Sequence, residues 1–286
     1  MRAARRKIIA RGVFLCADME TGEQQKELVR DQFTRTAQVF GDFAVASRVA
    51  EAERLARMVR VTSSDRGVDI ASGPGTLALR FARHVRWIYA LDLTPAILHR
   101  ARNSAAEQGL RNVAFALGDA QAVPFADGSL DIAVTSYSLH HMSDPGRVIG
   151  EMARVVRRGG RVGVLDIFVP EDPRVADLNN RIERIRDASH TRTIARSEFD
   201  VHFTEHGLRI LETYVDVQPR PFDHWMMVAG SKPGDPRYQE ARRLLEESIP
   251  DDGAWFHPRF EPAAAGNAER ELIFENTALF IAGEKI

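Results

Sequence analysis

Cysteine is almost absent from this chain, which has Cys16 alone among its 286 residues. A single cysteine cannot form an intramolecular disulfide or a cysteine-based zinc site, and this usage is typical of a reducing cytoplasm. Net charge is small as well, because 39 Lys and Arg residues face 40 Asp and Glu residues, a formal charge of −1 at pH 7. Without a strong field of either sign, duplex nucleic acid and anionic membranes are poor default partners.

Long apolar runs are also missing. Near the N-terminus, two short apolar runs at residues 8–10 and 13–17 are separated by Arg11 and Gly12 and surrounded by arginines. Such a stretch is too short for a signal peptide or a membrane span. We therefore expect residues 1–20 to form a disordered basic tail, with Met1 and Met19 as alternative starts, and the protein to be cytoplasmic with no membrane span.

The middle of the chain alternates short β-type runs with amphipathic helical segments. This alternation predicts an α/β fold whose sheet is mostly parallel and is flanked by helices. The predicted strands are residues 67–71, 87–91, 113–117, 130–136 and 161–167, and the predicted helices are residues 76–84, 95–107 and 145–157.

The two ends of the chain follow other patterns. Apolar residues at three- and four-residue spacing predict two helices in residues 21–64, which we expect to form a lid over the core at residues 65–170. Residues 171–286 are expected to supply closing strands near 209–217 and 272–282 and helices near 175–186, 197–206 and 236–247. We expect residues 172–195 and 219–267 to be insertions that cap a substrate.

The segment Val68-Asp69-Ile70-Ala71-Ser72-Gly73-Pro74-Gly75-Thr76 predicts a buried strand, a glycine turn and the start of a helix. Glycine has no Cβ, so a ligand can lie against the bare backbone of such a turn. The same residues fit the Gly-x-Gly-x-x-Ala pattern of dinucleotide-binding folds, and that spacing alone is a weak signal.

Acidic residues near the turn indicate which adenosine-containing ligand it serves. Asp92 ends the second predicted strand, where a carboxylate can accept bonds from both ribose hydroxyls of NAD or of S-adenosylmethionine. Asp69, close to the turn, would repel a pyrophosphate and favour a ligand with an ammonium and a sulfonium. Asp119, after the third strand, can receive an adenine amino group.

Taken together, these motifs resemble the class I S-adenosylmethionine-dependent methyltransferases, most of all the ubiquinone and menaquinone methyltransferase-like small-molecule group. The similarity covers residues 65–168 and implies a Rossmann-like fold. Its motifs are Asp69-x-Ala71-x-Gly73-x-Gly75, Asp92, Gly118-Asp119-Ala120-x-x-Val-Pro124-Phe125-x-Asp127-x-Ser129-Leu130-Asp131 and Arg154-Val155-Val156-Arg157-Arg158-Gly159-Gly160.

The resemblance implies S-adenosylmethionine as the cofactor, S-adenosylhomocysteine as the product, and a role for each matching residue. Residues Asp69, Ala71, Gly73 and Gly75 would hold the methionine part, and Asp92 would take the ribose. Around the base, Leu93 would pack on adenosine, Asp119 and Ala120 would contact adenine, and the Ser136 carbonyl would lie near the methionine ammonium.

Two positions depart from the family pattern. Ala71 stands where the family often has glycine. Leu139-His140-His141 stands where the quinone enzymes usually have an Arg-Asn type pair, which leaves a quinone acceptor in question.

Methyl transfer from a sulfonium needs alignment and a closed site, and a general base helps when the nucleophile must lose a proton. His140 and His141 follow the fourth strand at the carboxyl edge of the sheet, where they are our candidates for that base. Alternatively, one of them caps the turn and the other contacts the cofactor. Asp166 could face the same crevice, or serve as a helix cap or in an ion pair.

Aromatic side chains suggest a pocket for a small, aromatic or quinone-like acceptor. Phe33 and Phe40 would come from the lid, and Phe222, Trp225 and Met226 from an insertion, although core packing explains these apolar residues equally well. A further group of cations is a solvated helix face that could also attract an anionic acceptor. It comprises Arg181, Arg184, Arg186 and Arg192.

Two other functions stay open at this point. One is an NAD(P)-dependent oxidoreductase, and the other is a protein that binds the cofactor without methyl transfer. Residues 135–138 read Thr-Ser-Tyr-Ser, not Asn-Pro-Pro-Tyr, which argues against DNA-adenine methylation. We predict no nucleic-acid partner and no metal, and leave open the acceptor atom, the pathway and the oligomeric state, a homodimer included.

Overall fold

The computed structural model describes residues 22–41, 48–262 and 270–286. The basic tail expected at residues 1–20 lies outside these ranges. Among the described helices, none combines the length and apolar character that crossing a membrane requires.

An eight-stranded sheet forms the centre of the molecule, with the order β3-β2-β1-β4-β5-β8-β6 and with β7 paired to β8. The pairs among the first five strands are parallel, and β8 runs antiparallel to both β5 and β6. The mostly parallel α/β architecture is thus confirmed. The strands are β1 Arg66–Ile70, β2 Trp87–Asp92, β3 Val113–Leu117, β4 Leu130–Ser136, β5 Val156–Ile167, β6 Leu208–Pro221, β7 Arg259–Pro262 and β8 Arg270–Lys285.

Helices cover both faces of the sheet. Buried residues of α2 and α3 form one apolar layer with it, and those of α5 and α7 form the other. Since each face of the sheet is covered, its strands are apolar on both sides, as parallel strands usually are. The helices are α1 at residues 22–41, α2 Val49–Met58, α3 Thr76–Phe81, α4 Pro95–Glu107, α5 Pro145–Val155, α6 Pro173–Arg186, α7 Arg196–Glu205, α8 Phe222–Val228 and α9 Pro236–Ser248.

A third apolar cluster lies apart from these two layers. It joins buried side chains of α6, α8 and α9 to β8 and to the segment before β7. We call α6, α8, α9 and β7 the cap. Its helices come from the two segments that the sequence predicts as insertions.

Two helix ends were predicted wrongly. The helix expected over residues 76–84 ends at Phe81. The helix expected to reach residue 157 ends at Val155, because Val156 pairs with Leu130 and already belongs to β5. Within the segment expected as the second insertion, residues 259–262 form β7, a short strand that pairs with β8. An edge position of this kind tolerates Pro262, which has no backbone N–H to donate.

Candidate active site

The turn after β1 has the unusual backbone that its sequence predicts. Gly73 and Gly75 have φ angles of +54° and +84°, and Ala71 also has a positive φ of +54°. A Cβ on Gly75 would lie 3.1 Å from the Cβ of Ala101 and 3.3 Å from the Cγ of Leu79. Gly75 is therefore required both by its backbone conformation and by the close packing of the turn against α4.

Asp92, at the end of β2, fastens this turn. Its Oδ2 accepts the Gly73 N–H at 2.8 Å, and its Oδ1 accepts the Thr94 N–H at 2.9 Å. Burial raises the pKa of Asp92, although these backbone N–H groups oppose the shift. Each carboxylate oxygen has two lone pairs, so Asp92 can still accept two further bonds from a ligand.

Asp69 lies behind the turn. It is 1% exposed, and its Oδ2 accepts the Ala78 N–H at 2.9 Å near the start of α3. Its Oδ1 is buried without a hydrogen-bond partner in the described part of the chain. Burial raises the pKa of Asp69 well above its usual value.

A cavity of about 860 Å³, which we call the loop cavity, opens in front of the turn. Most of the predicted cofactor residues line it, whereas Asp69 and Gly75 do not. Those on its wall are Ala71, Gly73, Asp92, Leu93, Asp119, Ala120 and Ser136.

Helix α1 closes the other side of the loop cavity. Lys26 Nζ lies 2.9 Å from Asp119 Oδ2, while Asp119 Oδ1 accepts the Gln121 N–H at 2.8 Å. Gln25 donates through Nε2 to the carbonyl oxygens of His141 at 2.9 Å and Ser189 at 2.6 Å. The helix thus spans from the β3 end of the sheet to the loop that follows α6.

A second cavity of about 800 Å³ lies between the sheet edge and the cap, and we call it the cap cavity. Its wall includes Trp225 and His224 from α8 and several charged side chains. The two cavities share five wall residues: Phe33, Phe40, Arg48, Tyr137 and His141.

His140 and Asp166 form a hydrogen-bonded pair beside the cap cavity. His140 Nδ1 lies 2.5 Å from Asp166 Oδ1, and His140 lines this cavity. Burial lowers the pKa of His140, but the Asp166 carboxylate outweighs it, and the net shift is upward. The Nδ1–H donates to Asp166 in the neutral tautomer, which leaves Nε2 as the proton-accepting nitrogen.

His141 stands between both cavities and behaves differently. Its Nδ1 lies 3.1 Å from the carbonyl oxygen and 3.1 Å from the hydroxyl of Ser189, and its ring packs edge-on against Phe33. Burial and the neighbouring charge of His140 lower the pKa of His141 to about 4. His141 is therefore neutral at neutral pH.

Comparison with known proteins agrees with this geometry. The family described as "Methyltransferase domain" matches residues 68–164. The uncharacterized methyltransferase YcgJ of Bacillus subtilis is 34% identical over 223 residues, which cover 76% of this chain and 85% of YcgJ. The solved structure of YcgJ has a TM-score of 0.74 at 28% identity and covers 83% of this chain and 99% of that one.

This chain belongs to the class I S-adenosylmethionine-dependent methyltransferases. A further relative, the 27-O-demethylrifamycin SV methyltransferase of Amycolatopsis mediterranei, is 31% identical over 62% of this chain and 65% of that protein. The UbiE C-methyltransferase of Teredinibacter turnerae is 34% identical over 39% of this chain and 47% of that protein. The predicted family and cofactor are confirmed, and nothing among the described residues favours the nicotinamide alternative.

The polar groups on the wall of the loop cavity fit S-adenosylmethionine. The bare backbone at Gly73 and the remaining lone pairs of Asp92 are available to a polar ligand in this cavity. Ser72 Oγ and Thr76 Oγ1, on the same wall, are buried with no hydrogen-bond partner among the described residues. A polar ligand at this wall would supply the hydrogen bonds that these buried hydroxyls lack.

The apolar residues predicted for the acceptor pocket divide into two groups. Phe33, Phe40 and Trp225 line the cap cavity. Phe222 and Met226 are 0% exposed and, in the described chain, belong to the core of the cap without lining either cavity. Helix α8 has two faces. Phe222 and Met226 lie on the face that packs into the core of the cap, and Trp225 lies on the face towards the cavity.

Sequence reasoning did not single out Arg48, Tyr137 or Gln25 as site residues. Arg48 lies with its guanidinium carbon 3.9 Å from the ring centroid of Tyr137, and both line the two cavities. Tyr137 follows the predicted Ser136 directly, so its position was a usable signal. Arg48 and Gln25 belong to no sequence motif, and the fold alone brings them to the site.

Proposed function

We propose that this enzyme methylates a small-molecule acceptor that binds in the cap cavity, next to the cofactor in the loop cavity. The observation that carries the proposal is the shared wall, which brings two ligand-sized cavities into contact at Tyr137 and His141. In-line transfer needs donor and acceptor in such direct contact.

The donor supplies an activated methyl group: the acceptor atom bonds to the methyl carbon as the carbon–sulfur bond breaks, and the electron pair stays on sulfur. The chain's own residues then have two tasks, to hold the acceptor in line and to exclude water. Phe33 and Phe40, which belong to α1 and line both cavities, contribute apolar surface for the second task. We infer that α1 is the lid of the active site and that the cap encloses the acceptor.

We propose His140 as the general base. In its neutral form, Nε2 takes the proton from the acceptor's hydroxyl, amine or acidic carbon as the new bond forms. Asp166 is a positioning residue, since its Oδ1 fixes the tautomer of His140 and its charge stabilises the imidazolium that results. His141 contributes shape to the shared wall and stays neutral.

The test is methyl transfer from a donor labelled in its methyl group to a panel of small aromatic and hydroxylated acceptors. We expect labelled small-molecule product, and we expect His140→Ala to lower kcat by about 10²-fold or more, the range for general base catalysis. His99→Ala, at an exposed position on α4, is the matched control and should leave kcat unchanged. Label found only in nucleic acid or protein would contradict the proposal.

Several predictions made from the sequence stay predictions. They are a cytoplasmic location, an acceptor other than nucleic acid, and catalysis without a metal. Sedimentation would measure the oligomeric state.

A further inference from the structure

The charged side chains of the cap cavity are mostly cationic. Its wall contains three arginines, Arg48, Arg186 and Arg220, against two carboxylates, Glu183 and Asp187. His140 adds a further positive charge whenever it is protonated. The wall therefore favours a negatively charged occupant.

Both carboxylates of the wall have partners close to them in sequence. Glu183 Oε2 lies 3.4 Å from Arg186 Nη1, and that guanidinium also stacks 4.7 Å from the ring centroid of Trp225. Asp187 Oδ1 accepts the N–H of Ser189 at 2.8 Å and its hydroxyl at 2.7 Å. These bonds fix the two acidic groups within α6 and the loop after it.

Arg48 and Arg220 reach the cap cavity from different parts of the fold. Arg48 directly precedes α2, and Arg220 lies near the end of β6. Both side chains line the same cavity wall. Burial lowers the pKa of Arg48 and the charge of Arg220 lowers it further, whereas Tyr137, Glu51 and Asp166 oppose the shift. Glu51, the nearby acid on α2, accepts the Tyr137 hydroxyl at 2.9 Å.

An anion between two guanidiniums relieves their mutual repulsion. A guanidinium also matches a carboxylate with two parallel hydrogen bonds, which makes arginine well suited to this task. The rings of Tyr137, Trp225 and Phe33 on the same wall offer flat apolar surface to the rest of such a molecule.

We propose that the acceptor is an aromatic or otherwise flat organic acid whose carboxylate lies between Arg48 and Arg220 while its nucleophile faces His140. This inference rests on the proposed function, because it assigns the acceptor to the cap cavity. Of the four arginines that the sequence suggested for an anionic acceptor, only Arg186 lines this wall. Of the others, Arg181 pairs with Glu240, Arg192 pairs with Glu198, and Arg184 donates to the Thr191 carbonyl.

The test is calorimetric binding of acid and amide pairs to the enzyme saturated with S-adenosylhomocysteine. The probes are benzoate, cinnamate and 2-naphthoate, each compared with its neutral primary amide. We expect at least one acid to bind about tenfold or more tightly than its amide, and added KCl to weaken the acid alone. If no acid is preferred over its amide, the inference is overturned.

Two variants test which residue causes the preference for the acid over its amide. Arg220→Gln should remove most of the preference for the acid and leave the affinity for S-adenosylhomocysteine unchanged. Arg57→Gln is the matched control, because Arg57 is exposed and lies with Arg220 in a neighbouring groove outside the cap cavity. An Arg220→Gln variant that weakens acid and amide equally would contradict the assignment.

The titrations and the labelled-donor assay together separate failure of this inference from failure of the proposed function. Failure of transfer to small molecules in the labelled-donor assay would refute the proposed function, whatever the acids do. Normal transfer without any acid preference would refute only the anionic acceptor. Arg48 lines both cavities, so the assignment is tested at Arg220, which lines the cap cavity and not the loop cavity.

Discussion

Two buried carboxylates at strand ends each hold one loop of the active site in place. Asp92 on β2 accepts the N–H of Gly73 in the turn after the neighbouring β1. Asp166 on β5 accepts the N–H groups of Ser138 at 2.9 Å and Leu139 at 2.7 Å, in the turn after the neighbouring β4. Each carboxylate thus fixes the adjacent loop. Asp92 itself lines the loop cavity, whereas Asp166 acts on the cap cavity through its bond to His140.

Replacing Asp92 by alanine should cost cofactor affinity. The carboxylate is expected to take both ribose hydroxyls, and hydrogen bonds to a charged group contribute about 1.5–3 kcal/mol. We expect Asp92→Ala to weaken S-adenosylhomocysteine binding by that amount in a calorimetric titration. Asp127→Ala, at an exposed carboxylate outside both cavities, is the control. An unchanged affinity in Asp92→Ala would show that the ribose lies elsewhere.

The pH dependence of kcat should report the His140–Asp166 pair. A base must be neutral, so activity should fall as pH falls through the raised pKa of His140. Asp166→Asn removes the charge that raises this pKa, and we expect the inflection to move to lower pH while the plateau of kcat drops. If the inflection stays in place while kcat falls, Asp166 has only a structural role.

At the scale of elements, the turn after β1 stores backbone strain. Ala71 has a φ of +54°, a region where a Cβ costs about 1–2 kcal/mol. The family often has glycine at this position, so the substitution seen here is tolerated by the fold at the expense of stability.

Ala71→Gly should relieve that strain. We expect the free energy of unfolding to rise by about 1 kcal/mol, because the gain at positive φ exceeds the added entropy of the unfolded chain. Urea denaturation measures the change. The control, Ala106→Gly at an exposed position in α4, should instead lose about 0.5–1 kcal/mol. Equal destabilisation by both variants would contradict strain at Ala71.

Helix α1, the proposed lid, is held by polar bonds at several points along its length. Gln25 bonds to the turn after β4 and to the loop after α6, and Gln32 Nε2 donates to the Ala229 carbonyl at 3.2 Å. If α1 is the lid, these bonds should control how often the site opens.

We expect Gln25→Ala to increase hydrogen exchange across residues 22–41 and to speed release of S-adenosylhomocysteine severalfold. Each lost bond to a buried carbonyl weakens the closed state by about 1 kcal/mol. Hydrogen exchange with mass spectrometry and stopped-flow release measure the two effects. Glu27→Ala, at an exposed position on the same helix, is the control. Exchange that rises equally in both variants would argue against a lid held by Gln25.

At the scale of the whole molecule, the core and the cap share β8, which pairs with β5, β6 and β7. A ligand in the loop cavity should therefore stabilise both. S-adenosylhomocysteine at about one hundred times its Kd should raise the free energy of unfolding by about 2.7 kcal/mol in a single transition. A cap that unfolds in a separate transition, whose free energy of unfolding the ligand does not change, would contradict this coupling. The control is Asp92→Ala at the same ligand concentration.

Much of this arrangement could be predicted from the sequence. The glycine turn, Asp92 and Asp119 lie in short contiguous motifs, and the alternation of β and α patterns depends on near neighbours. The extent of β5 and the presence of β7 could not be predicted, since strand pairing across the sheet decided both.

By itself, the sequence determined the fold class, the family and the cofactor loop, because local patterns and contiguous motifs encode them. Only the tertiary structure paired His140 with Asp166, which stands 26 residues away, and placed Gln25 on Ser189, 164 residues away. It alone decided that Phe222 and Met226 support the cap while Arg48 and Arg220 line the cap cavity. Such contacts join distant parts of the chain, and their positions follow from how sheet, lid and cap pack together.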